Sequence, residues 1–214
     1  MSKPIAGLLT VGSLLLLAPS LAAQPFNRHS ANVSVGAARP RGELRPWFSD
    51  RPLVGVEYGY RIHRNFQVDA GFDAVFGAAG TRDWLPTDFG NLRIRDYQYM
   101  VPFGGRVILP VADERVHVYG GLGGAYMRYS EAVQQPFGDS GYRIPCYICA
   151  SRDGFAYYGV FGVNASVDDA RRFRFGVGTK VYRGHTSGDA FGATPPRETT
   201  DRWVNVFGTF SVTF

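Results

Sequence analysis

Apolar and polar residues alternate through the final segment of the chain, from residue 204 to residue 214. A period of two predicts a β-strand with one apolar and one polar face. The strand closes on Phe214, whereas the termini of soluble proteins usually fray in water. The apolar and polar positions are, in turn, Val204, Val206, Phe210, Val212 and Phe214, and Asn205, Thr209, Ser211 and Thr213.

Seven earlier segments alternate in the same way, so the chain is predicted to form eight strands. Most of them are near the ten residues that a tilted transmembrane strand requires. The predicted strands are Ser30–Ala38, Pro52–Arg61, Phe66–Phe76, Arg95–Leu109, Val116–Tyr129, Gly154–Ser166, Arg172–Arg183 and Arg202–Phe214.

The connections between these strands alternate strictly between long and short. In an up-and-down barrel this order places all long connections at one end, as in outer-membrane barrels with long extracellular loops and short periplasmic turns. The short connections are Ile62–Asn65, Pro110–Arg115 and Asp168–Arg171, and the long ones are Arg39–Arg51, Gly77–Ile94, Ser130–Asp153 and Gly184–Asp201.

Alternation alone leaves open which face points outward. A soluble lipocalin-like barrel has its apolar face inside, and an outer-membrane barrel has it outside. The loop asymmetry, the terminal Phe214 and the charges among glycines on the polar face favour the membrane. The apolar parity holds Tyr58, Tyr60, Phe66, Val68, Phe72, Phe76, Tyr97, Tyr99, Val101, Phe103, Phe173, Phe175, Val177 and Val181.

The amino terminus is typical of a secretory signal peptide. Lys3 precedes an apolar run, Gly7–Ala18, and small residues follow at Ser20–Ala23. The run is too short to cross a membrane as a helix. We expect a signal peptide at residues 1–22, cleaved near 22–23, and a barrel domain at residues 23–214. Secretion and a modest net charge of +5 argue against a nucleic-acid partner.

These features together resemble the small eight-stranded outer-membrane proteins, namely the OmpA transmembrane domain, OmpX and the Opa-like group. The resemblance implies an all-β, eight-stranded antiparallel up-and-down transmembrane barrel in the outer membrane. It also implies partners: membrane lipid, lipopolysaccharide and the barrel assembly machinery, which reads Phe210, Val212 and Phe214. The surface ligand stays unidentified. The arginines of the first long connection either form a solvated basic loop or meet lipopolysaccharide phosphates: Arg39, Arg41, Arg45 and Arg51.

Charged residues on the polar parity are predicted to face the lumen. Eight strands leave an interior that side chains fill, so buried charges must be paired there. A salt-bridge network that plugs the lumen is one interpretation, and a narrow gated ion path is the other. The residues are Glu57, Asp69, Asp73, Arg106, Arg174 and Lys180.

Two further motifs are considered as candidate redox, metal-binding or nucleotide-binding sites. Cys146 and Cys149 form a C-x-x-C pair without helix context or nearby metal ligands, so an intraloop disulfide is expected in an oxidising compartment. No metal or cofactor is predicted. Paired glycines such as Gly120-Gly121 lack the context of a nucleotide loop and are expected to permit close approach of interior side chains.

His185, Ser187 and Glu198 resemble the His-x-Ser plus Glu arrangement of the PagL-like lipid A deacylases. That resemblance implies Ser187 as nucleophile, His185 as its base and Glu198 as the group that orients the base. The family has Asn after the Ser, whereas this chain has Gly188, and the residues are predicted to lie in a loop. The favoured function is a non-enzymatic structural or surface-interaction protein, with the hydrolase and the ion channel as alternatives.

Overall fold

The computed structural model describes residues 27–46, 48–77, 84–87, 90–134, 150–189 and 198–214. The predicted signal peptide and the Cys146/Cys149 pair lie outside these residues. Within them no helix is long and apolar enough to cross a membrane.

The described residues form nine strands. Eight coincide with the predicted segments, and most extend beyond the predicted bounds. The additional short strand, β4, lies in a predicted loop. The strands are β1 (His29–Gly42), β2 (Arg51–His63), β3 (Phe66–Phe76), β4 (Trp84–Thr87), β5 (Gly90–Val111), β6 (Val116–Gln134), β7 (Ser151–Ser166), β8 (Phe173–Gly188) and β9 (Glu198–Thr213).

Eight of the strands form a closed antiparallel ring. Each strand of the ring pairs with the next ring strand along the chain, β3 pairs directly with β5, and β1 closes the ring by pairing with β9. Strand β4 pairs only with the start of β5, so it is a hairpin arm outside the ring. The predicted eight-stranded antiparallel barrel is therefore confirmed.

Three tight connections lie at one end of the ring, which we call the turn end: residues 64–65, 112–115 and 167–172. Ala112, Asp113 and Glu114 all have positive φ, at 48°, 52° and 63°. In the third turn, desolvation opposes the ionised form of Asp168, but the N–H groups of Phe173 and Arg172 outweigh it and lower the pKa of this carboxyl. The opposite end, where residues 43–50 connect β1 to β2, is called the loop end.

The two faces of the barrel differ as the alternation predicts. Large apolar side chains are exposed on the outside, and most inward polar side chains are buried. This orientation is the reverse of a lipocalin-like barrel. The exposed apolar side chains include Val33, Tyr58, Phe72, Phe103, Phe161, Phe175, Val177, Val206 and Phe210.

Candidate functional site in the barrel lumen

Five charged side chains meet halfway along the lumen and form what we call the central ionic cluster: Glu57, Asp69, Asp73, Arg106 and Lys180. Each is 11% exposed or less. Four strands supply these side chains, with two of them on β3, and each side chain points inward because alternate residues of a strand face the same side.

Arg106 binds two carboxylates in the central ionic cluster. Its guanidinium forms ion pairs with Glu57 and with Asp69, where Nε lies 2.5 Å from Oδ2. The same guanidinium lies over the ring of Tyr119, with Cζ 4.9 Å from the centroid. A buried guanidinium is tolerated when carboxylates and an aromatic face replace its hydration.

Lys180 joins the cluster from the opposite wall. Its Nζ lies 3.1 Å from Glu57 Oε2 and 3.3 Å from Asp73 Oδ2, and the Tyr182 hydroxyl donates to Asp73 Oδ2 at 2.7 Å. Strands β3 and β8 are four steps apart in either direction around the ring. The contacts of Asp73 with Lys180 and Tyr182 therefore cross the full diameter of the barrel.

Arg174 lies apart from the central ionic cluster. Its Nη1 is 2.9 Å from Nδ1 of His117, and its Nε donates to Ser166 Oγ at 3.3 Å. Both contacts are nearer the turn end. The sequence pattern placed Arg174 on the inward face but carried no information on its height along the lumen.

Apolar side chains pack together inside the barrel towards the loop end, which the sequence analysis missed. Phe48 folds inward from the β1–β2 connection, with its ring 5.6 Å from that of Tyr129 and 5.9 Å from that of Trp203. We call this group of side chains the apolar layer, and all of its members are nearly inaccessible to solvent: Leu44, Phe48, Met100, Met127, Tyr129 and Trp203. The stretch predicted as a solvated basic loop thus also supplies two buried side chains.

A hydrogen-bonded polar group lies beside the apolar layer. Thr186 and Thr199 donate to the two oxygens of Asp201, at 2.5 and 2.6 Å. Arg152 donates to Thr199 and to the Thr186 carbonyl. The Asp201 side chain is fully buried, so these donors replace the water that a carboxylate loses on burial.

The loop prediction for His185 and Ser187 is wrong, because both lie on β8 and Glu198 begins β9. All three side chains are exposed on the outer face. His185 Nε2 is 3.7 Å from Glu198 Oε2, and Ser187 lies opposite Glu198 in the strand register. The structure brings the side chains of His185 and Glu198 together, whereas among the described residues no side-chain hydrogen bond joins the Ser187 hydroxyl to either of them.

No group of three or more His, Cys, Asp or Glu side chains suited to a metal ion occurs in the described ranges. The carboxylates of the lumen are instead engaged by Arg106, Lys180, Tyr182 and the threonines of the polar group.

Comparison with solved structures gives the same fold. The chain is similar to Neisserial surface protein A (NspA), at 12% identity and a TM-score of 0.56, over 87% of this chain and 97% of that one. It is also similar to OprG of Pseudomonas aeruginosa, at 14% identity and a TM-score of 0.51, over 90% and 99%. Ail, the attachment invasion locus protein of Yersinia pestis, matches at 11% identity and a TM-score of 0.50, over 88% and 99%.

No curated protein matches this chain. The model of the outer membrane protein beta-barrel domain matches residues 8–194, which is most of the chain. The eight-stranded ring and its apolar outer face agree with that match. The chain therefore belongs to the outer membrane protein beta-barrel domain family, and its location is the outer membrane of the cell.

Proposed function

We propose that this protein is a non-enzymatic outer-membrane barrel with a plugged lumen, which holds its loop end as an interaction surface outside the cell. The observation that carries the proposal is the pair of contacts from Asp73 to Lys180 and Tyr182. These contacts join opposite walls, so together with Arg106 they obstruct the cross-section through which a solute would pass.

The free space around the central ionic cluster supports a plugged lumen. Two cavities adjoin the cluster, and each measures about 20 Å³. A cavity needs roughly 10–15 Å³ to hold one water molecule, so each has room for little more than that. The apolar layer adds a second obstruction nearer the loop end.

The charges at the loop end support a role at the lipopolysaccharide surface. Arg39 and Arg45 are exposed there, and Arg39 pairs with Asp50, with 2.9 Å between Nε and Oδ2. An exposed ion pair contributes little to stability. Arg39 and Arg45 are thus available to phosphate groups, to which guanidinium groups bind in a forked geometry.

A proteoliposome swelling assay tests the plugged lumen. Vesicles that contain the protein should not swell in iso-osmotic glycine or arabinose, whereas vesicles with a general porin swell within seconds. Swelling at a rate that increases with the amount of folded protein would reject the plug.

The contact between His185 and Glu198 favours a lipid A acyl hydrolase as the second candidate. The 3.7 Å separation places a carboxylate where it can orient the imidazole, and Ser187 shares the same outer face on β8. In this function Ser187 is the nucleophile and His185 its base. The arrangement also fits an exposed polar contact between neighbouring strands, which needs no catalytic role.

The lipid A acylation pattern of expressing cells separates the two candidates. The hydrolase predicts that wild-type protein removes an acyl chain and that Ser187→Ala abolishes the change. Thr200→Ala is the matched control, because Thr200 is exposed on β9 opposite His185. An unchanged pattern in cells that express wild-type protein would reject the hydrolase and leave the first proposal standing.

A further inference from the structure

An open space lined by charged side chains lies at the turn end of the lumen. This turn-end cavity has a volume of about 210 Å³, more than ten times the roughly 10–15 Å³ that one water molecule needs. Its charged lining is cationic: four arginines face one glutamate. These residues, with the histidine between them, are Arg61, Arg64, Arg171, Arg174, Glu114 and His117.

The single carboxylate engages only the outer pair of arginines. Glu114 forms ion pairs with Arg64 and, at 2.9 Å, with Nη1 of Arg171. All three side chains are 40% exposed or more. The positive φ values of residues 112–114 turn this segment so that Glu114 reaches both partners across the mouth of the cavity.

The inner pair of arginines has no carboxylate of the described residues within ion-pair distance. Arg61 is 8% exposed and Arg174 is 7% exposed. Buried charges in proteins are otherwise paired, because the loss of hydration costs several kcal/mol per ion on an order-of-magnitude scale. Two guanidinium groups at the wall of one cavity therefore have no carboxylate in direct contact with them, although Glu114 lies at the mouth of the same cavity.

Both inner guanidinium groups point at the same acceptor. Arg174 Nη1 is 2.9 Å and Arg61 Nη2 is 3.3 Å from Nδ1 of His117. A neutral imidazole has one acceptor nitrogen with one lone pair, so it satisfies one of these donors fully and not both. The other contacts of the pair are to neutral groups, Gln67 Oε1 at 3.4 Å and Ser166 Oγ at 3.3 Å.

We propose that the turn-end cavity binds one phosphate group between Arg61 and Arg174. A phosphate offers several charged oxygens, so it accepts hydrogen bonds from both forks at once and supplies the missing negative charge. Within this site Arg61 and Arg174 bind the anion and His117 holds their spacing. The outer pair, Arg64 and Arg171, attracts anions to the mouth.

Two sources present this chemistry: free phosphate or small phosphorylated molecules in solution, and the headgroups of phospholipids. Calorimetric titration of the full chain with inorganic phosphate tests the site, in maltoside micelles and phosphate-free buffer. A second titration compares phosphatidylcholine nanodiscs with galactolipid vesicles, which contain no phosphorus. Weaker binding of added phosphate in phosphatidylcholine identifies the headgroup as the occupant, and equal binding identifies the free anion.

We expect one phosphate to bind per barrel. The affinity for phosphate should be about tenfold lower in Arg61→Gln and in Arg174→Gln than in wild type, because each variant loses a charged hydrogen-bond donor. Arg115→Gln is the matched control: Arg115 lies at the same end, is exposed, and pairs with Asp169 outside the cavity. It removes the same charge and should bind as wild type does. Heat-modifiable mobility on electrophoresis verifies that each variant is folded.

Arg174→Lys keeps the charge but loses the fork, so it tests the site even if the Gln variants fail to fold. Its affinity should fall between those of wild type and Arg174→Gln. The proposal is overturned if wild-type protein gives no saturable heat, if Arg174→Lys binds as tightly as wild type, or if Arg115→Gln loses as much affinity as the cavity variants.

Discussion

Asp73 lies on β3 and receives both of its partners from β8 on the far wall. Lys180 also contacts Glu57, so removal of Asp73 leaves the ammonium group with one carboxylate fewer and Tyr182 without its acceptor. Removing one partner of a buried ion pair lowers stability more than replacing both partners by apolar residues, because it leaves an unpaired charge in the interior. At the scale of single residues, the stability of the lumen therefore depends on complete sets of partners.

We predict that Asp73→Ala lowers the free energy of unfolding by about 3–5 kcal/mol. Asp73→Asn should cost less, because the amide oxygen still accepts from Tyr182. Urea unfolding in lipid vesicles, followed by tryptophan fluorescence, measures both. Asp153→Ala is the control, since Asp153 is exposed on the outer face. An Asp73→Ala variant as stable as this control would contradict the role of the central ionic cluster.

Two adjacent glycines on β6 provide a second residue-scale prediction. A Cβ on Gly121 would lie 2.5 Å from the Gly105 carbonyl oxygen and 2.7 Å from Arg106 Cβ, whereas a Cβ on Gly120 would meet only atoms at 3.9 Å. Gly121→Ala should therefore destabilise the barrel by about 1–3 kcal/mol, and Gly120→Ala should have little effect. The same unfolding assay checks this pair, and equal effects would show that the inward position is not crowded.

The sequence predicts the presence of the eight ring strands better than it predicts their ends. Strand β8 continues to Gly188 and β9 begins at Glu198, although alternation of hydrophobicity stops earlier. Near the loop end Thr186 points inward and His185 outward, so both faces are polar and the pattern vanishes while pairing continues. Alternation reports only where one face lies against apolar surroundings.

The apolar layer was not predictable from local pattern. Leu44 and Phe48 stand among arginines and prolines in a connection, and their burial depends on the path that this segment takes across the barrel end. Their partners Tyr129 and Trp203 come from β6 and β9, far away in sequence. Conversely, the inward charges were predictable because their parity is set within each strand, although the heights at which they meet were not.

The β1–β2 connection is predicted to act as a cover for Trp203. Phe48→Ala should expose the indole and increase its acrylamide quenching, measured with Trp47 and Trp84 replaced by Phe so that only Trp203 emits. Arg45→Ala, an exposed neighbour, should leave quenching unchanged. If Phe48→Ala protein shows the quenching of the parent, the connection does not cover the lumen.

At the scale of the whole molecule, the ring closes between its first and last strands. Strand β1 pairs with β9 from Ser30 to Gly42, and contacts between segments so distant in sequence form slowly during folding. Phe214 extends this closure: its backbone exchanges hydrogen bonds of 2.9 and 3.0 Å with His29, and the two rings stack at 5.6 Å. The predicted assembly signal thus also stabilises the closing pair.

Deletion of Phe214 should reduce the amount of heat-modifiable barrel in the outer membrane several-fold, because the closing contacts with His29 are lost, together with the aromatic ring that the assembly machinery is predicted to read. Phe214→Tyr is the control that keeps an aromatic ring and should assemble normally. Fractionation and electrophoresis without boiling measure both. Normal assembly of the deletion variant would contradict this role of Phe214.

The plugged lumen is the central claim, and current recordings across a planar bilayer test it most directly, because ions detect a path too narrow for the solutes of a swelling assay. Wild-type protein inserted at single-molecule density should give no conductance steps. Steps should appear in a triple variant in which Arg106, Lys180 and Phe48 are all replaced by Ala. This variant opens the central ionic cluster and the apolar layer together. Reproducible steps from folded wild-type protein would contradict the plug and favour an ion channel instead.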